Sequence, residues 1–161
     1  MKHDDILDCL RGYLLPDWDK LPDFGLYMDQ VITLANRSFP GLERQDLTPS
    51  MINNYVKAGL MDKPSGKKYS REAIAQLFMI IQLKLTTPME LMKTLLHPED
   101  GTETKDLYLL FRQYQEQVVS KYQDEETAPR LIYALKSSAF QLILRLSDDE
   151  RICISPGCAK N

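Results

Sequence analysis

Apolar residues recur at helical spacing along most of the chain. Over 4–14, Ile6, Leu7, Leu10, Tyr13 and Leu14 step by three and four positions, which predicts a short amphipathic helix that Pro16 ends. A small phrase then repeats, Leu15-Pro16-Asp17-Trp18 and Leu21-Pro22-Asp23-Phe24. Proline keeps its preceding residue extended, and aspartate can cap a helix start. The second copy therefore predicts a helix over 24–37, with Phe24, Tyr27, Met28, Val31, Leu34 and Ala35 inward. Phe39-Pro40-Gly41 breaks it, and a connection runs to Leu47.

Thr48-Pro49 reads as a cap plus a proline at the first helical position, where a missing N–H costs nothing. A short helix follows to about Lys57, with Met51, Ile52, Tyr55 and Val56 inward and Gly59 as its left-handed terminator. Pro64, Ser65 and Gly66 make a tight loop or small hairpin within 61–69. Ser70 caps a helix over 71–85, with Ile74, Leu77, Phe78 and Ile81 inward. Thr87-Pro88 repeats the cap-plus-proline signal before a helix over 88–96, whose Met89, Met92, Leu95 and Leu96 share one side. The methionines at 79, 89 and 92 read as core filler.

Pro98 to Thr104 is a polar loop and the best internal boundary. Beyond it a helix over about 104–122 carries Leu107, Tyr108, Phe111, Tyr114, Val118 and Tyr122. A last helix over about 129–147 has two apolar stripes, one through Leu131, Leu135, Leu142 and Leu146, the other through Tyr133, Phe140 and Leu144. Two stripes mean cover on two sides. The second cover is either the N-terminal helix or another subunit. The class is all-α with one small β-hairpin.

Composition narrows the function classes. No apolar run reaches the roughly 20 residues of a membrane span. The start, Met1-Lys2-His3-Asp4-Asp5, is acidic and is not followed by the apolar core of a signal peptide, so the expected location is the cytoplasm, with no membrane partner. Cys9, Cys153, Cys158, His3 and His97 do not fall at the paired spacing of a zinc site. His97 stands at a helix end, where partial positive charge is favoured, and reads as structural. No phosphate-binding glycine loop, nucleophile elbow or Cys–His pair occurs, so neither a cofactor nor an enzyme activity is expected.

Charge is more informative. The chain carries a net −3, yet residues 44–84 hold seven basic side chains against three acidic ones, while both flanks are net acidic. A polyanionic partner would meet that basic stretch. It contains a short polar helix, with Ser50, Asn53, Asn54 and Lys57, followed directly by a loop with Lys63, Lys67 and Lys68. Such a helix can enter the major groove while the loop reaches phosphates. Asn can pair with adenine, and Lys supplies attraction independent of sequence. The same Asn53-Asn54 pair also suits the solvated side of a helix packed through its other face.

Ile52-Asn53-Asn54-Tyr55-Val56-Lys57-Ala58-Gly59-Leu60-Met61, then Pro64, then Lys67-Lys68-Tyr69-Ser70 and a helix, is similar to the DNA-binding half of MerR-type regulators. Tyr55, Gly59, Leu60, Pro64, Lys67 and Tyr69 fall on matching positions. With Leu21-Pro22-Asp23 and Tyr27-Met28-Asp29-Gln30-Val31, the pattern resembles still more closely a bacterial domain family of unknown function with a MerR-like helix-turn-helix. The resemblance spans about 21–96. It implies a MerR-like winged helix-turn-helix domain over 21–97, beside which the residue pattern sets an N-terminal helical arm over 1–20, a C-terminal helical hairpin over 98–147 for packing or dimerisation, and a tail over 148–161. It implies that Thr48, Ser50, Asn53 and Asn54 face the groove, that Tyr55 packs or touches a phosphate, and that Lys57, Lys67, Lys68 and Arg71 lie along the backbone beside Tyr69 in the wing. The chain departs from MerR-type proteins at Asn53, where they carry Arg, and at Asn54, where they carry an aromatic. It also lacks their single long coiled coil and sensor cysteines. The implied partners are double-stranded DNA and a second copy joined through the C-terminal helices. The alternative is a protein-interaction module built on the same scaffold.

Overall fold

The computed structural model describes residues 11–39, 46–98 and 101–124, with 121–124 as backbone only. The expected helices over 4–14 and 129–147 and the tail lie wholly or mostly outside them. A 3-10 turn at Trp18–Lys20 leads to strand β1 (Leu26–Tyr27) and helix α1 (Met28–Ser38). Helix α2 (Pro49–Lys57), strand β2 (Lys68–Tyr69), and helices α3 (Arg71–Leu83), α4 (Met89–Leu96) and α5 (Thr104–Asp124) complete the order. The protein is mainly helical, with one two-stranded antiparallel pairing that sets Leu26 against Tyr69 and Tyr27 against Lys68.

Helix α3 lies at the centre. Its residues Ala73–Ile81 are all buried, including Gln76. A helix apolar on every side needs cover on every side. Helix α5 packs along it through Leu107 and Tyr108, α4 through Met92 and Leu96, and Phe39 at the end of α1 meets Phe78 edge-on at 5.0 Å. The Ser70 hydroxyl caps α3 by accepting from the Ala73 N–H at 3.2 Å. Gln76 is one of two buried polar side chains among the described residues. Its Oε1 accepts from the Asp62 N–H at 2.8 Å, and its Nε2 donates to Asp62 Oδ2 at 3.1 Å and Thr104 Oγ1 at 3.3 Å. One amide thereby fastens the chain leaving α2 and the start of α5 to the central helix.

The segment before β1 is strapped onto α5 and the end of α3. The Leu15 N–H donates to Gln115 Oε1 at 2.9 Å, and Gln82 Nε2 donates to the Tyr13 carbonyl at 2.7 Å. The Tyr108 hydroxyl donates to the Pro16 carbonyl at 2.8 Å, and Trp18 meets the Tyr108 ring edge-on at 5.5 Å. Burial pushes the Tyr108 phenol well above its ordinary value, so it stays a donor. Arg112 pairs with Asp17, which Lys20 also holds at 2.8 Å. The acidic strap thus spends Asp17 on α5 and on its own Lys20.

Two differences from the sequence expectation have a common cause. The helix expected from 24 begins at Met28, and Leu26-Tyr27 is extended. Phe24 is 67% exposed and Tyr27 47% exposed, so neither joins the buried stripe. The start is fixed by the Tyr27 N–H donating to Gln30 Oε1 at 2.9 Å, and by pairing with β2, a partner remote in sequence. On α5, Leu107 and Tyr108 are buried, but Tyr114 and Val118 are exposed. Met79 and Met92 fill the core, whereas Met89 is exposed.

Replacing Gln76 by Leu strands the Asp62 N–H and should cost about 1–3 kcal/mol in chemical denaturation; an unchanged midpoint would remove the amide from its tethering role. Hydrogen bonding from Lys20, joined by the charge of Arg112, outweighs partial desolvation and holds the Asp17 carboxyl below its usual 3.8. A folded-state pKa below the unfolded one gives stability that is present above the unfolded value and lost as pH falls through the folded value. Melting curves of Asp17→Asn should therefore lie below wild type at neutral pH and converge with it as pH falls below the ordinary carboxylate range. Parallel curves across that range would contradict the assignment.

Candidate nucleic-acid interface

Helix α2 is built to divide its faces. The Thr48 hydroxyl accepts from the Met51 N–H at 3.3 Å, and Pro49 takes the first helical position. At the other end the Leu60 N–H donates to the Tyr55 carbonyl at 3.0 Å and the Gly59 N–H to the Val56 carbonyl at 3.1 Å, a Schellman closure. Gly59 sits at φ +71, which a side chain would strain. His97 Nε2 donates to the Leu60 carbonyl at 3.1 Å, tying this turn to the end of α4. Ile52 and Tyr55 are buried, and Met51 and Val56 are half-buried. Ser50, Asn53, Asn54 and Lys57 are all exposed. Positions 50, 53, 54 and 57 follow the helical repeat, so they form one polar stripe.

The loop after α2 closes as a tight turn. Ser65 and Lys68 exchange hydrogen bonds, 2.9 Å from the Ser65 N–H and 3.1 Å from the Lys68 N–H, around Gly66-Lys67. Lys63, Lys67 and Lys68 are exposed. Lys68 then enters the pairing with β1, and its ammonium stands 5.2 Å from the Tyr27 ring centre. Gly25 permits this approach: a Cβ there would lie 2.8 Å from the Lys68 Cβ. Among the described residues, Lys57, Lys63, Lys67 and Lys68 enter no ion pair.

The other candidate residues are placed differently. Tyr55 faces the core, and its hydroxyl accepts from Lys84 Nζ at 3.3 Å. Tyr69 is also buried, and burial raises its phenol above the ordinary value, keeping it neutral. The Thr48 side chain is engaged in its cap. Arg71 is half-buried: its guanidinium lies 5.8 Å from the Trp18 ring centre and 3.9 Å from Asp23 Oδ2. The structure therefore brings Ser50, Asn53, Asn54 and Lys57 onto one face, puts Lys67 and Lys68 on the turn, and withdraws Tyr55 and Tyr69. Sequence reasoning did not single out Lys105, which lines a cleft with Lys68 and Arg71. It comes from α5, remote in sequence, so no local pattern announces it.

The architecture defines a mainly helical domain with a short polar-faced helix, a basic turn and a two-stranded pairing. The chain belongs to the family described as a domain of unknown function, DUF1836, whose model matches residues 16–117. That span holds α2, the basic turn, the cleft and most of α5. Comparison with curated proteins and with solved structures finds no match. Among the described residues, no helix is long and apolar enough to cross a membrane.

The division of α2 can be tested by stability alone. Asn53→Ala and Asn54→Ala should each change unfolding free energy by less than about 0.5 kcal/mol, since both are exposed. Tyr55→Ala should cost about 3–5 kcal/mol, as for a buried aromatic. Equal costs at all three positions would contradict the two-faced helix.

Proposed function

We propose that this protein is a cytoplasmic, non-enzymatic transcriptional regulator that binds double-stranded DNA through a MerR-like winged helix-turn-helix. One observation carries the reading: the stripe Ser50, Asn53, Asn54 and Lys57 is exposed on a helix whose opposite face is buried, and a lysine-bearing turn follows it. In this account α1 and α2 form the helix-turn-helix. Helix α2 enters the major groove, about 12 Å wide, with the asparagine amides at base edges. Lys67 and Lys68 sit on phosphates, where charge sets affinity without reading sequence. The protein acts as a homodimer through its C-terminal helices, and exposed Tyr114 and Val118 on α5 are described apolar residues available to a second copy.

A protein-interaction module on the same scaffold is a second reading. The exposed aromatics Phe24 and Tyr27, on the β1 side of the basic turn, favour it.

Fluorescence anisotropy with genomic duplexes separates the two. Wild-type binding should weaken steeply with salt, and Lys67→Ala should reduce the logarithmic slope by about one for every sequence tested. Asn53→Ala should change the ranking of duplexes while leaving the slope in place. Absence of salt-dependent binding to any duplex at low ionic strength removes the regulator reading and leaves the protein-partner one.

A further inference from the structure

We propose that the cleft between the basic turn, the start of α3 and the start of α5 is a binding site for a phosphate group, held by Lys68, Arg71 and Lys105. The cleft has a volume of about 580 Å³, and Trp18, Asp23 and Glu72 also line it. Lys105 converges here with Lys68 and Arg71, which lie more than thirty residues earlier, in a protein whose net charge is −3. The lining carboxylates leave one positive charge in excess. Asp23 is a weak partner for Arg71, at 3.9 Å and with its side chain 78% exposed.

Arg71 supplies the sharper observation. Its guanidinium is held against Trp18, its side chain is 22% exposed, and its buried Nε has no hydrogen-bond partner among the described residues. The enclosed Nε leaves the guanidinium short of one partner, and a ligand oxygen in the cleft reaches Arg71 through the exposed part of its side chain. Arginine matches the planar geometry of oxyanions, and lysines add point charge. A phosphate monoester offers three terminal oxygens and up to two negative charges, and a backbone phosphodiester two oxygens and one charge. The volume is within the range of small-ligand sites, so the phosphate has room for an ester substituent. Two sources share this chemistry, a backbone phosphodiester of DNA and a free phosphate ester. Lys105 belongs to neither α2 nor the basic turn, so the free-ester source stands without the regulator reading, while the phosphodiester source rests on it.

The test uses the full chain, titrated with inorganic phosphate at ionic strength held constant with chloride, while NMR follows the Arg71 Nε–Hε signal. A saturable shift is expected. Lys105→Ala should weaken it about tenfold, the loss of one charge-assisted contact, with the melting temperature unchanged because Lys105 is exposed. Asp23→Asn should tighten it. Repeating the duplex salt series with Lys105→Ala separates the sources: a slope reduced by about one assigns the site to the DNA backbone, and an unchanged slope beside saturable phosphate binding assigns it to a free ester. Phosphate binding that persists when duplex binding is absent keeps the site and removes the regulator. The proposal is overturned if phosphate gives no saturable shift and Lys105→Ala leaves the duplex slope intact. It is equally overturned if the phosphate shift is the same in wild type and Lys105→Ala.

Discussion

The burial of α3 governs this fold. Ala73 through Ile81 are all enclosed, so every side of one helix must find a neighbour. Helix α5, helix α4 and the Phe39 ring provide that cover, and the strap from Tyr13 to Trp18 in turn rests on α5. The buried polar member, Gln76, uses its amide to fasten both Asp62 and Thr104. A half-satisfied buried amide is costly, so this network fixes where the basic turn and α5 begin relative to the core. The position of the lysine turn is thus a consequence of core packing more than of its own two-residue pairing.

With the core closed this way, the outer face of α2 is released from structural duty. Ile52 and Tyr55 anchor the helix, and Lys84 satisfies the Tyr55 hydroxyl. The Thr48 hydroxyl and the Schellman closure satisfy its ends. None of these roles falls to Ser50, Asn53, Asn54 or Lys57. Acidic charge in the strap is engaged elsewhere, Asp17 by Lys20 and Arg112. A short helix, fully capped, anchored on one side and polar on the other, presents a rigid surface, and rigidity reduces the ordering cost of binding.

The helices were legible because their signals are local. Thr48-Pro49, Ser70 and Gly59 mark starts and stops within a few residues, and α2, α3, α4 and α5 fall close to the expected spans. The beginning of α1 was not legible. Phe24 and Tyr27 sit at helical spacing from Val31, but the strand that claims Leu26 and Tyr27 pairs with Lys68 and Tyr69, and two residues are too few to show alternation. Four inward positions were read on α3, and the structure encloses the intervening ones as well, Gln76 among them. For the candidate interface, spacing alone separated Asn53 and Asn54 from Ile52. The withdrawal of Arg71 onto Trp18 and the arrival of Lys105 beside it depend on contacts between distant segments, which no window of sequence carries.

The central claim, that the polar stripe of α2 and the lysine turn are the surface that meets duplex DNA, is tested most directly by mapping backbone amide shifts of the full chain during titration with a bound duplex. The account predicts perturbations concentrated at Ser50, Asn53, Asn54, Lys57, Gly66 and Lys67, with Leu77 through Ile81 unmoved. Perturbations gathered around Tyr114 and Val118 on α5, with α2 silent, would contradict it.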